Sequence, residues 1–373
     1  MRIGVDASFL RPGRVGGAEF MVKNLVDGLV ELDGSLEVHV AAPVTWPTAR
    51  SVTWHQTGSG NRLVTAVQAG RLLRGVDVLL ATNYVTPPSL PGQGPPVVTV
   101  MHDLLYRHYP QYFSARKRAW LNLIHRDTLR RAQRVVAISE FVREDILRVY
   151  GERWADKVVS IPNPVSWDRL KAGATGPELT GADRRIVLSV AAQWPHKNVE
   201  TLLRAWSLLR SQGLTGGAAL VMVGQRPSGL IGAVVSADHV ADSDDVIFTG
   251  HVSDEELAGW YAAASLFVFP SLFEGFGIPP VEALGLGLPV LTSARTSIPE
   301  VTLGAADLIE DPLDPSAWAS RIADHLAQPS RFVPTQQQVA TIRERYEPTA
   351  IAARYLEAFE AVLRRAERRA ALA

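Results

Sequence analysis

Short apolar runs rich in β-branched residues alternate along this chain with longer segments whose apolar residues recur at helical spacing. In the first half, the runs that we predict to be buried strands are residues 3–5, 37–41, 78–81, 97–101 and 135–138. In the second half, they are residues 186–190, 219–223, 245–248, 266–269 and 289–291. The clearest predicted helices are residues 17–32, 117–132, 198–212 and 254–264. Strands that alternate with helices in this way predict an α/β protein with parallel sheets and helices on both faces.

The strand–helix pattern occurs twice, and residues 167–183 separate the two occurrences. This stretch holds three glycines and a proline, has no clear periodicity, and is typical of a linker. A length of 373 residues also suits two domains better than one hydrophobic core. We therefore predict an N-terminal domain over residues 1–166 and a C-terminal domain over residues 184–347, followed by a helical tail over residues 348–373.

The composition excludes several classes of function. With 38 basic and 38 acidic residues the formal net charge is +0, so no overall field attracts nucleic acid. The absence of cysteine excludes disulfides, thiol nucleophiles and cysteine-ligated zinc. No apolar run approaches the roughly 20 residues of a membrane-spanning helix. Asp6 interrupts the first apolar residues too early for a signal peptide. We therefore expect a cytoplasmic protein.

Two glutamates, Glu274 and Glu282, flank a short glycine-rich turn. The apolar run 266–269 predicts a buried strand that ends in a loop, and residues 280–284 predict the first turns of a helix. Glu274 is thus expected at the carboxyl edge of a parallel sheet, where open α/β sheets bind ligands. Two carboxylates there can bind hydroxyl-rich parts of one ligand, while the glycines let backbone N–H groups reach a phosphate. For Glu282 alone, stabilisation of the helix dipole is the alternative.

Lys197 follows the first predicted strand of the second half and stands where a helix is predicted to begin. A cation at a helix N-terminus opposes the helix dipole, so a lysine at this position indicates an anionic partner. The alternative is a solvent-exposed lysine at a helix end, which this pattern favours less.

Two features of the first half also follow predicted strands. The loop 11–19 carries Gly16 and Gly17 and opens a helix, so a ligand could closely approach the positive end of that helix. A plain strand-to-helix turn explains this loop equally well. His102 and Asp103 directly follow another strand. A single histidine at a strand end is more often structural than catalytic, so the pattern alone leaves both roles open.

Two charged clusters have competing interpretations. Asp242, Asp244 and Asp245 form a carboxylate cluster, but it precedes a strand and lies on the wrong edge for the ligand site. We therefore predict a solvated loop there and no metal. Residues 116–134 form a basic helix with interleaved apolar positions. This helix either makes weak peripheral contact with an anionic inner-membrane face or packs its apolar stripe into the domain, and the pattern favours packing.

The segment from Phe273 to Leu284, FEGFGIPPVEAL, closely resembles the donor-site signature of the retaining glycosyltransferases of family four. Residues 285–293 and 297–301 and the pair Asp311-Pro312 also follow the pattern of that family, and the resemblance spans essentially the whole chain. It implies the GT-B fold, in which two Rossmann-like α/β domains have parallel sheets that face each other across a cleft. In that fold the C-terminal helix, here 348–373, packs back on the N-terminal domain.

The resemblance implies roles for the residues named above. His102 and Glu274 would act at the donor sugar and the reaction centre, with Asp103 in support. Glu282 would accept hydrogen bonds from the ribose of the donor.

Lys197 would hold the donor diphosphate, together with a second cation in most members of the family. The arginine expected for that role is missing here, since the two positions considered for it are Ala192 and His196. His196 is therefore the candidate for the second cation. The remaining donor contacts would come from Gly16, Gly17, Val252, Phe276, Gly277 and Ile278, in several cases through the backbone.

The implied activity is the transfer of a hexosyl or deoxyhexosyl group from a nucleotide-diphosphate sugar, with retention of configuration and without a metal or other cofactor. The acceptor would be a glycan, a lipid-linked sugar or a small molecule. Mannosyl- and rhamnosyltransferases carry the most similar motifs. Three alternatives remain open at this point: a sugar-nucleotide epimerase or a glycan phosphorylase of similar fold, and a non-catalytic nucleotide-sugar-binding protein.

Overall fold

The computed structural model describes residues 1–11, 16–48, 50–58, 60–87, 94–170, 184–191, 194–225 and 243–371. The chain divides into two compact units, Met1–Val165 with Arg345–Ala373, and Ser166–Glu344. Within the predicted linker 167–183, residues 167–170 belong to the second unit. Residues 171–183 lie outside the described residues.

A parallel sheet forms the centre of the first unit. Its strands are β1 Arg2–Asp6, β2 Glu37–Ala42, β3 Thr53–Gln56, β4 Val78–Ala81, β5 Val97–Met101, β6 Arg134–Ala137 and β7 Val158–Ser160. Their spatial order is β3-β2-β1-β4-β5-β6-β7, and every described pair of neighbours is parallel. The accompanying helices are α1 Gly17–Leu32, α2 Arg62–Leu72, α3 Leu105–His108, α4 Ala115–Arg131 and α5 Glu140–Tyr150. The order of connection reverses between β1 and β4, which makes this the switch point of the sheet.

The second unit repeats this architecture. Its strands are β8 Ile186–Val190, β9 Ala219–Val223, β10 Val246–Gly250, β11 Leu266–Phe269, β12 Val290–Ser293 and β13 Asp307–Ile309. They lie in the order β10-β9-β8-β11-β12-β13 and are also parallel. The described helices are α6 Val199–Ser211, α7 Asp254–Ala263, α8 Ile278–Gly285, α9 Ile298–Val301, α10 Pro315–Ala327 and α11 Gln336–Tyr346. Here the switch point lies between β8 and β11.

Helices pack on these sheets through large apolar side chains. In the second unit, Trp206 of α6 and Trp318 of α10 are completely buried in one core cluster. In the first unit, the last helix, α12 Pro348–Ala371, packs against α1. The approach is close at Gly28, where an added Cβ would lie 2.3 Å from the carbonyl oxygen of Pro348. The predicted α/β class and the predicted strands are therefore confirmed.

The basic helix predicted at 116–134 corresponds to α4. Its buried side chains include Leu121 and Leu129, so one face packs into the first unit, whereas Leu123 is 65% exposed. Within the described parts of the chain, we find no helix with the length and apolar character needed to cross a membrane. Contact of α4 with a membrane surface stays a prediction.

Candidate functional site

An ion pair lies at the switch point of the second sheet. Lys197 follows β8 and Glu274 follows β11, and these two strands are neighbours. The Nζ atom of Lys197 lies 2.5 Å from Oε1 of Glu274, and the two side chains are only 17% and 13% exposed. The structure thus brings together the predicted phosphate ligand and the predicted catalytic carboxylate, on the edge where sheets of this kind bind ligands.

Hydroxyl groups from the loop after β12 hold the backbone on both sides of Glu274. The backbone N–H of Glu274 donates to Oγ1 of Thr296 (3.0 Å). The buried hydroxyl of Ser297 donates to the carbonyl oxygens of Glu274 (3.0 Å) and Phe276 (2.9 Å). These bonds fix the turn before any ligand arrives, and preorganisation of this kind favours binding and catalysis.

Gly277 ends this turn in a conformation that suits only glycine. Its φ of 98° lies in the left-handed region, and an added Cβ would stand 2.6 Å from Cδ1 of Ile298. The next residue, Ile278, begins α8, so Phe276, Gly277 and Ile278 lie at the positive end of that helix. Pro279 and Pro280 have no N–H, so Gly277 and Ile278 provide the backbone N–H groups at this end that suit an anion such as a phosphate.

Asn198 connects three loops at the same edge of the sheet. Its Nδ2 atom donates to the carbonyl oxygens of Pro270 (3.2 Å) and Pro312 (2.7 Å), and its Oδ1 accepts from Thr201 (2.6 Å). The residue adopts a left-handed φ of 56° directly after the 3₁₀ turn Pro195–Lys197. This network holds the backbone beside Lys197 in one position.

His196 lies beside Lys197, but it is a buried residue. Only 6% of it is exposed, and burial, with the nearby charge of Lys197, lowers its pKa to about 4. Without a ligand, burial therefore favours the neutral imidazole, and the expectation that His196 supplies a second positive charge to a bound diphosphate stays a prediction. Ala192, the other position considered for that charge, lies outside the described residues.

Glu282 lies inside α8, as predicted, but it is buried in a polar network. One guanidinium nitrogen of Arg169 donates to Oε1 of Glu282, and the other donates to Oδ1 of Asp254 (2.8 Å). The hydroxyl of Tyr261 donates to Oε2 of Glu282 (3.0 Å). Burial raises the pKa of Glu282, although Arg169 and Tyr261 oppose that shift. Sequence reasoning missed Arg169, because it lies in the stretch interpreted as a linker.

The turn that carries Val252 is also well ordered by hydrogen bonds. The N–H of Gly224, after β9, donates to the carbonyl oxygen of Gly250, at the end of β10 (3.0 Å). Ser253 caps α7: its hydroxyl accepts from the N–H of Glu256 (3.2 Å), whose side chain accepts from the N–H of Ser253 (2.7 Å). Val252 lies half-buried between these elements. Its predicted contact with the nucleobase stays a prediction.

In the first unit, His102 lies where β1, β4 and β5 end. Its Nε2–H group donates to the carbonyl oxygen of Thr82 (2.9 Å), and the hydroxyl of Thr82 donates to the carbonyl oxygen of Asp6 (2.6 Å). Asp6 is buried, and burial raises its pKa to about 6. Asp103 accepts from the N–H of Leu105 (2.8 Å) and so supports the start of α3. The switch point of the first sheet thus carries its own cluster of polar residues. The sequence did not identify Asp6 as a member of this cluster.

Gly16 and Gly17 stand at the beginning of α1, and both are exposed. Gly16 has a positive φ of 59°. Residues 12–15 of the predicted ligand loop lie outside the described residues, so the role of this loop stays a prediction.

Comparisons with known proteins identify similarity along both units. A family model described as Glycosyltransferase Family 4 matches residues 15–169, and one described as Glycosyl transferases group 1 matches residues 184–328. The O-antigen chain mannosyltransferase B of Escherichia coli is 30% identical over 255 residues, which are 66% of this chain and 66% of that protein. The match therefore spans slightly less than two thirds of that relative.

Solved structures with the same fold cover nearly the whole chain. Sucrose-phosphate synthase from Thermosynechococcus elongatus has a TM-score of 0.75 at 21% identity and covers 97% of this chain and 99% of its own. The Anabaena protein HepE, in a complex with UDP-glucose, has a TM-score of 0.75 at 17% identity and covers 97% of this chain and 100% of its own. At these identities the likeness shows a shared fold.

Proposed function

This chain belongs to glycosyltransferase family four and has the GT-B fold, and on that premise we propose that it is a retaining, metal-independent hexosyl- or deoxyhexosyltransferase. The donor is a nucleotide-diphosphate sugar, and the acceptor is a hydroxyl group of a glycan. The observation that carries this proposal is the Lys197–Glu274 ion pair at the switch point of the second sheet. It combines one cation for the diphosphate with one carboxylate for the sugar.

Lys197 neutralises Glu274 while the donor is absent, and the bound diphosphate competes for the same ammonium group. A charged hydrogen bond to phosphate is strong, and the N-terminus of α8 adds a second favourable contact for the anion. Positive charge fixed in the protein in this way takes the role that a metal ion has in other transferases.

Glu274 supplies the negative charge in the proposed site. Its carboxylate accepts hydrogen bonds from hydroxyls of the donor sugar and stabilises the positive charge that develops at the anomeric carbon. The bond from that carbon to the diphosphate breaks while the acceptor oxygen bonds to it on the same face. The acceptor proton passes to the departing phosphate oxygen. This course retains the configuration of the sugar.

Other residues complete the proposal. His102 acts at the donor sugar, and Glu282 binds the ribose. The turn around Val252 presents backbone groups to the base, and Gly16 and Gly17 contact the donor phosphates. Support comes from family membership and from the location of these residues in the loop or the helix that follows a strand of a parallel sheet.

A mannosyl group is the donor sugar that we propose first. The support is the 30% identity to a protein described as an O-antigen chain mannosyltransferase, whose description also suggests a glycan acceptor. Rhamnosyl transfer is the second choice on the motifs alone. HepE binds UDP-glucose, but at 17% identity its similarity to this chain supports only a shared fold and not a shared donor.

Transfer assays test the proposed function. We expect release of nucleoside diphosphate from GDP-mannose, in EDTA and in the presence of a mannose-terminated oligosaccharide, at a higher rate than from UDP-glucose or dTDP-rhamnose. The product should show by NMR the anomeric configuration of the donor. An inverted product would contradict retention, and turnover that appears only with magnesium would contradict a metal-free site. Release of a sugar phosphate with inorganic phosphate would support a phosphorylase instead.

A further inference from the structure

Arg169 reaches two carboxylates from a short turn that follows the point where the chain enters the second unit. The turn is the 3₁₀ helix Asp168–Leu170. The two terminal nitrogens of Arg169 donate to Glu282 on α8 and to Asp254 on α7. The side chains of Arg169 and Glu282 are 13% and 5% exposed, so this pair lies largely out of water. A guanidinium that is held at both ends has a fixed plane.

Neighbouring contacts hold this turn firmly on the second unit. Leu170 is 4% exposed. Trp167 packs against Gly285 at the end of α8, so closely that an added Cβ on the glycine would lie 2.2 Å from the indole ring. The Nε atom of Arg343 donates to the carbonyl oxygen of the same glycine (2.6 Å). Arg169 is therefore anchored to the helix that carries Glu282.

Glu282 keeps hydrogen-bonding capacity beside this arginine. A carboxylate accepts about four hydrogen bonds, two on each oxygen. Arg169 uses one position on Oε1, and Tyr261 uses one on Oε2. With these partners from the described residues, one acceptor position on each oxygen is left, and both oxygens are fixed in direction. Two adjacent hydroxyls of a ribose match such a pair of acceptors.

We propose that Arg169 is a positioning residue, which holds Glu282 ionised and oriented so that its carboxylate accepts hydrogen bonds from the ribose hydroxyls of the donor. This inference rests on the proposed function. The turn Asp168–Leu170, which lies outside the donor-site signature, then helps the protein to select ribonucleotides over deoxyribonucleotides.

The charges around Glu282 support this role. Among the described residues, the titratable groups that face it are Arg169, Tyr261 and Asp254. Burial raises the pKa of Glu282, Arg169 and Tyr261 lower it, and Asp254 raises it further. Without Arg169 the remaining groups favour the protonated acid, which loses acceptor positions. Binding of a ribose in an Arg169 variant should therefore weaken as the pH falls.

The test is calorimetric binding of GDP, UDP and their 2′-deoxy counterparts to the wild type and to Arg169→Met. We expect the wild type to prefer the ribonucleotide roughly ten- to hundred-fold, as for a hydrogen bond to a charged group. The variant should lose most of this preference, and the loss should be larger at pH 6.5 than at pH 8.5. Arg169→Lys keeps the positive charge but cannot bind two carboxylates through a planar guanidinium. Its ribose preference should lie between those of the wild type and Arg169→Met.

Controls separate positioning from stability. Arg321→Met removes an ion pair to Asp307 in the same unit (2.6 Å) and should lower thermal stability without changing ribose preference. Tyr261→Phe keeps the packing but removes the hydroxyl that binds the other oxygen of Glu282. It should therefore lower the preference even if Arg169→Met does not fold.

Three outcomes contradict the inference. Unchanged preference in Arg169→Met and Tyr261→Phe would show that the network is structural only. Tighter ribonucleotide binding by Arg169→Met would show that the arginine masks the carboxylate. A wild type that binds nucleotides without ribose preference overturns this inference and the proposed ribose contact of Glu282 but leaves the proposed transfer reaction intact. A wild type that binds no nucleotide overturns the proposed function as a whole.

Discussion

Substitution of Glu274 by glutamine is expected to lower kcat by about 10²–10³-fold, the usual effect of losing one electrostatic contact to a transition state. Glutamine keeps the shape of the side chain and removes its negative charge, so the developing positive charge on the sugar loses its partner. The substitution also releases Lys197 from its ion pair. Binding of nucleoside diphosphate should therefore stay constant or become tighter while transfer is lost.

Steady-state transfer assays and calorimetry on the same preparation measure both quantities. Glu255→Gln is a suitable control, because this exposed glutamate of α7 lies outside the proposed site and its loss should leave kcat unchanged. Strong residual transfer by Glu274→Gln would remove its catalytic role. Weaker nucleotide binding with an unchanged kcat would mean that the carboxylate serves binding and has no special role at the transition state.

Substitution of Lys197 by methionine is expected to weaken the binding of nucleoside diphosphate roughly ten- to hundred-fold, which is the usual effect of losing a charged hydrogen bond to phosphate. The free nucleoside should bind as it does to the wild type, because it has no phosphate for Lys197 to contact. The variant also leaves the poorly exposed Glu274 without its cation. A lower melting temperature is therefore expected as well.

Calorimetry with a nucleoside, its monophosphate and its diphosphate shows where the contact acts. Arg210→Met removes a cation at the far end of α6, where it pairs with Asp245 (3.5 Å), and should change none of the three affinities. If Lys197→Met weakened the binding of the nucleoside and of the nucleoside diphosphate equally, the proposed contact between Lys197 and the phosphates would be contradicted.

The sequence predicted much of the fold because most strands are apolar runs bounded by turns. The strands that were missed, β3, β7 and β13, are only four or three residues long and lie at or near the edges of their sheets. β3 is exposed or half-buried along its whole length. Such strands carry too few apolar residues for a period of two to be recognised.

The site was predicted in part, for a related reason. Lys197 and Glu274 could each be placed at a strand end, but periodicity does not tell which strands are neighbours, so their ion pair emerged only from the order β8-β11. The burial of His196, which lowers its pKa, also depends on tertiary packing. Arg169 lay in a stretch without periodicity, and no local pattern relates it to a glutamate 113 positions further along the chain.

Binding of UDP, GDP, ADP and dTDP, measured by calorimetry in EDTA and again in magnesium, tests whether the second unit holds a nucleoside diphosphate by fixed positive charge. We expect one nucleotide to bind at least about ten-fold more tightly than the others, a difference of about 1.4 kcal/mol, with the same affinity in both conditions. Failure of all four nucleotides to bind would contradict the donor site and with it the proposed transferase.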